Sequence, residues 1–177
     1  VLQGSIASTV VAIWVLAFKS ELPISKRILP NLIGLAGDSG SGKNHMSLVF
    51  SSLFNDSRTL VIEGDDYHKW DRGHESWERY THLDPKANFL DLLAADASKL
   101  SLGLHIKRAK YDHTTGKFSD ARELKPHSTV VLQGLHTLYL RGLRDKLDVK
   151  VFLEPEASLR LFWKIKRDSL ERGHPRE

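Results

Sequence analysis

Eight consecutive residues, Gly37-Asp38-Ser39-Gly40-Ser41-Gly42-Lys43-Asn44, have the composition of a loop built to hold phosphate. Their spacing is G-x-x-x-x-G-K. Glycines let backbone N–H groups approach phosphate oxygens, and the lysine reaches the β and γ phosphates of a nucleotide. A helix that starts just after the loop points its positive end at the same anion. With Gly at about 7% of residues, the bare pattern arises by chance in roughly one chain in twenty of this length. Requiring a strand before it and a helix after it cuts that several-fold, so a glycine-rich turn with an exposed lysine is the weaker explanation.

A second group of reactive side chains follows some twenty residues on, Glu63-Gly64-Asp65-Asp66-Tyr67-His68-Lys69-Trp70-Asp71-Arg72. Standing alone, a charged segment like this is usually solvated surface. Beside a phosphate loop it reads as chemistry. A carboxylate here can accept a hydroxyl proton, while His68, Lys69 and Arg72 can hold an anionic or polyhydroxy acceptor.

Both groups need strands to carry them to one place. Leu32 to Ala36 is a short apolar run stopped by glycine, as a buried parallel strand should be. Lys43 to Phe54 reads as a helix, Thr59 to Ile62 as a second strand, and Ala87 to Leu100 as a second helix. His105 to Phe118 is mixed, with turn residues at Thr114 to Gly116, and is expected to form a hairpin or an extended excursion. Thr129 to Leu132 and Val149 to Leu153 read as further strands. Leu138 to Leu147 and Glu156 to Arg172 read as helices. Strands and helices alternating at this spacing imply an α/β fold, a parallel sheet covered on both faces. In such sheets ligands bind beyond the carboxyl ends of the strands, which puts both reactive segments at one crevice.

The rest of the composition mostly excludes. The 177 residues suffice for one sizeable core, and 41% hydrophobic with 27% charged residues excludes wholesale disorder. There is no cysteine, so disulfides, thiolate metal sites and cysteine nucleophiles are excluded. The net charge of +4 is concentrated late: residues 141–177 hold ten basic and seven acidic side chains, a balance of +3. Acidic residues interrupt that segment throughout and no nucleic-acid motif is present, so nucleic acid is not an expected partner. Val10 to Phe18 is an unbroken apolar run of nine residues, too short for a bilayer, which needs about 20 in a helix. No basic residue precedes it and no small-residue cleavage site follows, against a signal peptide. It is expected to be a docked or oligomer-forming helix, or else the tail of a membrane anchor lost upstream. Lys19 to Pro30 reads as a linker. Residues 1–30 are thus set apart from a domain over 31–177. Starting at Val1, the chain is expected to be a trimmed or processed product or a fragment, and a cytoplasmic one.

From Leu32 onward the chain resembles the phosphoribulokinase/uridine kinase family of P-loop kinases. The resemblance is carried, in the family's order, by GDSGSGK at 37–43, EGDDYHKWDR at 63–72, THLDPKAN at 81–88, YDHTTGKF at 111–118, QGLHTLYL at 133–140 and KRDSLERG at 166–173. It implies a P-loop NTPase-like sheet flanked by helices, with ATP and magnesium as cofactors and transfer of the γ-phosphoryl to a hydroxyl of a sugar phosphate or nucleoside. It implies Asp65 as catalytic base and Lys43 on the phosphates. Asp66, Tyr67, His68, Arg72, Tyr111 and His113 would line the acceptor pocket. Arg167 and Arg172 would lead into a lid and neutralise charge on the transferred group.

Departures from the pattern fall on the metal. Asn44 stands where the family has Ser or Thr, and Gln133 where it has a glutamate. Their carbonyls can still ligate a hard cation together with Asp65. Asp66 or Asp38 is expected to restore the missing charge; otherwise the site is weak, and the alternative reading is a non-catalytic nucleotide-binding module. The chain stops at Glu177, where the lid is expected to begin, so this stretch is expected to lack it.

Overall fold

The computed structural model describes residues 11–18, 29–54 and 56–170. Its centre is a five-stranded sheet in the order β1-β9-β2-β8-β3, built from β1 (Val11–Phe18), β2 (Asn31–Gly37), β3 (Thr59–Glu63), β8 (Thr129–Gly134) and β9 (Val149–Pro155). Neighbouring strands from β9 to β3 run parallel, and β1 joins the β9 edge antiparallel. Successive side chains on a strand face opposite sides, so each strand feeds two cores. Leu32, Val130 and Leu132 pack with Ile62 and with Leu93, Ala97 and Leu100 of α2 (Leu90–Ser101). Ile33, Leu35, Val131, Val151 and Leu153 pack against Met46, Phe50 and Phe54 of α1 (Lys43–Phe54). Each fully buried aliphatic side chain is worth roughly 1.5–3 kcal/mol. The mixed helical spacing in α1 resolves into this i, i+4, i+8 stripe, leaving Leu48 and Leu53 exposed.

Between α2 and β8 the chain forms two short antiparallel ribbons, longer than the expected excursion. β4 (Ile106–Arg108) pairs with β7 (Arg122–Leu124), and β5 (Tyr111–Asp112) pairs with β6 (Lys117–Phe118). Asp112 makes the tip, its carboxylate accepting from Thr114 N and Thr115 Oγ1, with Gly116 at φ +72°.

Two expectations are corrected. The apolar run at 10–18 is a strand over Val11–Phe18, not a helix, and it belongs to the main sheet rather than to a separate N-terminal unit. Its eight residues, rich in Val, Ile, Trp and Phe, suit strand length and strand propensity, and β9 offers an edge to pair with. The stretch 138–147 holds only a single helical turn, α3 (Arg141–Arg144). Arg144 Nη1 donates to the carbonyls of Leu138 and Tyr139 at 2.7 Å, capping the turn before it with a side chain. The leucines that suggested a long helix, Leu138, Leu140, Leu143 and Leu147, all reach the α2-side core without one. α4 (Ala157–Leu170) follows β9 as expected; positions 171–177, Arg172 among them, and most of the linker at 19–28 lie outside the described residues. Among the described residues no helix is long and apolar enough to cross a membrane.

Candidate active site

The phosphate loop joins β2 to α1 at the carboxyl end of the sheet. Lys43 opens the helix and folds back, its Nζ donating to the carbonyls of Gly37 and Asp38 at 2.8 Å each. Ser41 N closes the loop onto Asp38 O at 3.1 Å, Ser39 N donates to Asp38 Oδ1 at 2.7 Å, and Met46 N bonds Gly42 O. Helix α4 lies across this loop: Arg160 pairs with the Asp38 carboxylate, and Lys164 stands over Gly40. Asp38 is therefore tied to α4 by this ion pair.

Gly40 has φ +80°, and a Cβ there would sit 2.9 Å from Lys164 Cβ and 3.1 Å from Arg160 O. Left-handed geometry alone costs an L residue about 1–2 kcal/mol. Gly40→Ala should lower unfolding free energy by at least that amount in denaturant titration; an unchanged midpoint would show that the loop relaxes freely beneath α4.

The acidic segment follows β3 as a 3-10 turn, Gly64–Tyr67. Gly64 lies so close to Gly134 that a Cβ would be 3.2 Å from its Cα, which lets the turn settle against the end of β8. Asp65 then enters the crevice with Lys43, Asn44, His68, His113 and Gln133. Its Oδ2 is 2.9 Å from His113 Nε2, and its Oδ1 is 3.6 Å from His68 Nε2. Burial pushes the Asp65 carboxyl upward, but the His113 hydrogen bond and the neighbouring imidazoles of His68, His113 and His82 outweigh it. The net effect holds Asp65 well below the usual carboxylate range.

The next three residues diverge. Asp66 turns toward the ribbon, its Oδ1 accepting from Tyr111 N at 2.8 Å. Burial, helped by the charges of Glu63 and Asp65, pushes it up to about 6. Because that value lies above the ordinary 3.8, Asp66 favours the fold most below about pH 4 and progressively less as pH rises through 6. The stability difference between the protein and Asp66→Asn should therefore change with pH across that window; a difference constant from pH 4 to 7 would contradict the burial argument. Tyr67 does not line the acceptor pocket. It is fully buried in the α2-side core, its hydroxyl donating to Asp96 at 2.9 Å, because a tight turn must send one of three successive side chains inward. His68 stays at the crevice, buried, with Nδ1 2.7 Å from Asn88 Oδ1, and burial lowers its pKa.

Arg72 anchors the ribbon tip, donating through Nη2 to His113 O and through its backbone to Gly116 O, both at 2.7 Å. Tyr111 meets the rings of His68 and His113 edge-on, with centroids 5.0 and 5.2 Å away, so it fixes the two histidines. Arg167 lies on α4 beyond the described side chains. Gln133 Nε2 is 3.4 Å from Asn44 Oδ1, while Gln133 Oε1 is buried with no hydrogen-bond partner.

Glu63, His82, Asn88 and His136 also line the crevice, and none was singled out from the sequence. All four sit inside the segments that carried the family resemblance, which was the only signal available. Glu63 stands opposite Gln133 in the parallel β3–β8 register, so the two sit side by side at the carboxyl ends of adjacent strands.

Comparison with known proteins places the site in context. Residues 32–177 match the family model described as "Phosphoribulokinase / Uridine kinase family". A phosphoribulokinase from Synechocystis is 39% identical over 146 residues, covering 82% of this chain and 44% of that one. A uridine kinase from Streptococcus pneumoniae is 33% identical over 150 residues, covering 81% and 69%. The structure of phosphoribulokinase from Rhodobacter spheroides superposes with a TM-score of 0.65 at 23% identity, covering 84% of this chain and 59% of that one. The chain spans less than half the length of the curated phosphoribulokinases it matches.

Proposed function

The chain belongs to the phosphoribulokinase/uridine kinase family, and from that premise we propose that it transfers the γ-phosphoryl group of ATP to a hydroxyl of a sugar phosphate or nucleoside. One observation carries the reading: the β3 turn brings the Asp65 carboxylate into the crevice that the phosphate loop opens onto. The loop amides and Lys43 would hold the β and γ phosphates. The acceptor oxygen forms the new bond to the γ-phosphorus, the bond to the β–γ bridging oxygen breaks, and the hydroxyl proton passes to Asp65. A carboxylate held ionised by its neighbours is always ready for that proton, and phosphoryl transfer asks more for orientation than for strong basicity. His68 and His113 orient the acceptor, and Arg72 holds the ribbon tip over it. A cytoplasmic setting belongs to the same reading, supported by ATP as the donor.

The residues present fit magnesium. Gln133 Oε1 is a buried acceptor lacking a donor, and Asn44, whose Oδ1 accepts from Gln133 Nε2 at 3.4 Å, supplies a second carbonyl on the adjoining side chain. Among the described residues no three acidic or histidine side chains converge tightly enough to hold a metal alone, which suits an ion bound mainly by phosphates and water. Asp38 pairs with Arg160 and Asp66 accepts from Tyr111 N, so the charge would come from Glu63, whose Oε1 lies 3.7 Å from Lys110 Nζ, with Asp65 nearby. When bound, the ion neutralises charge on the phosphates.

Calorimetric titration of a non-hydrolysable ATP analogue, with and without magnesium, tests the reading. Magnesium should tighten binding about tenfold, ~1.4 kcal/mol. Glu63→Gln should remove most of that gain, and Gln133→Glu in the same background should restore it. Binding indifferent to magnesium would leave a nucleotide-binding module without metal chemistry.

A further inference from the structure

The acceptor side of the crevice holds a hydrogen-bond chain whose direction can be worked out from its far end. Asn88 is buried opposite His68, the two joined by a short backbone bridge in which Phe89 N donates to Tyr67 O at 2.8 Å and Lys69 N to Ala87 O at 2.9 Å. The Asn88 Nδ2 group donates to two backbone carbonyls, His82 O at 3.0 Å and Asp84 O at 2.8 Å. Carbonyls only accept, so the amide cannot be flipped. Its Oδ1 must therefore face His68 Nδ1, 2.7 Å away, and an amide oxygen requires a donor there.

We propose that Asn88 is a positioning residue that fixes His68 with its proton on Nδ1, so that the bare Nε2 faces the incoming acceptor and takes a hydrogen bond from one of its hydroxyls. This rests on the reading of Asp65 as the base. The consequence reaches Asp65 itself. His113 Nε2 contacts Oδ2 at 2.9 Å, whereas Oδ1 faces the bare His68 Nε2 at 3.6 Å. Two acceptors face each other there without a donor between them, an arrangement an acceptor hydroxyl would complete. Oδ1 is then the oxygen that receives the proton in transfer. An acceptor presenting a second hydroxyl beside the reacting one would satisfy both atoms.

Burial and His113 on the ribbon tip lower the His68 pKa, whereas Asp65 on its own turn and the Asn88 hydrogen bond raise it, and the net direction is downward. The rings of His82 before α2 and Tyr111 on the ribbon pack against the imidazole. Free imidazole in water prefers the proton on the other nitrogen, so the tautomer is informative.

The first test needs neither substrate nor activity. Long-range ¹H–¹⁵N correlation of the ligand-free, ¹⁵N-labelled protein at pH 7.5 reads which His68 nitrogen is protonated, with His68→Gln for assignment. A protonated Nδ1 and bare Nε2 are expected; a protonated Nε2 overturns the proposal, whatever the kinase assay gives. Asn88→Ala then removes the acceptor on Nδ1 and releases the tautomer. Acceptor KM at pH 7.5 should rise about tenfold with ATP KM unchanged. An unchanged acceptor KM would deny Asn88 that role. If no acceptor is turned over, the kinase reading fails while the nitrogen assignment still decides the tautomer.

Discussion

Asp65→Asn is expected to slow phosphoryl transfer by about 10²–10⁴-fold, the usual span for a positioned general base. At about 1.4 kcal/mol per decade that is roughly 3–5 kcal/mol of transition-state stabilisation. The amide keeps the size of the carboxylate but carries no charge and binds a proton far less well. The 3-10 turn that holds it is fixed by Gly64 against Gly134 and by the inward-facing Tyr67, so the backbone should not move. Nucleotide affinity should change less than twofold, because Lys43 and the loop amides are held by the Gly37 and Asp38 carbonyls rather than by Asp65. The pairing of a rate assay with calorimetry on one variant separates chemistry from binding. A variant keeping more than a third of the parent rate would remove Asp65 from the role of base.

The second large effect lies beneath the site. Asp96→Ala should lower unfolding free energy by about 3–5 kcal/mol, the range for removing one partner of a buried ion pair. The Asp96 side chain is 3% exposed and accepts from both the Arg108 guanidinium and the Tyr67 hydroxyl. Arg108 also lies over the Tyr67 ring, 4.8 Å from its centroid. Its loss leaves a cation and a phenol without their acceptor in a place water reaches poorly. The same triad ties α2, the β3 turn and the first ribbon together, so the Asp65 turn should loosen with it. Guanidinium unfolding gives the first number and the KM for ATP a control, which should hold while the protein stays folded. Arg141–Asp145 is the contrasting case, with side chains 87% and 65% exposed, and Asp145→Ala should leave stability within error. Equal effects at the two sites would mean that burial does not govern these ion pairs.

The residues themselves account for much of this. The phosphate loop, the strand before it and the bounds of α1 at Lys43 and Phe54 were legible, because a glycine-rich loop between an apolar run and a helix is contiguous in the chain. The strands at 59, 129 and 149 were legible for a related reason: each is a β-branched run with turn residues beside it. Even the ribbon tip at 114–116 could be read from its own turn chemistry.

Contacts across long sequence gaps could not be read that way. Whether 10–18 became helix or strand depended on an open edge at β9, some 140 residues away, and not on the run alone. Leu138 to Leu147 looked helical because its leucines face one core, yet packing needs only their positions, and the carbonyls of Leu138 and Tyr139 are satisfied by the Arg144 side chain instead of a helical ladder. In the segment Asp65 to His68, the residue types pointed to a carboxylate and His68, and the family resemblance added Asp66 and Tyr67; only the packing of the turn on α2 sent Tyr67 inward and left Asp65 and His68 facing the crevice. Glu63 gained meaning from its register with Gln133, and Asn88 from two carbonyls that fix its amide. Local chemistry is written in neighbouring residues, whereas the partner of each polar group is chosen by which strand ends the sheet brings together.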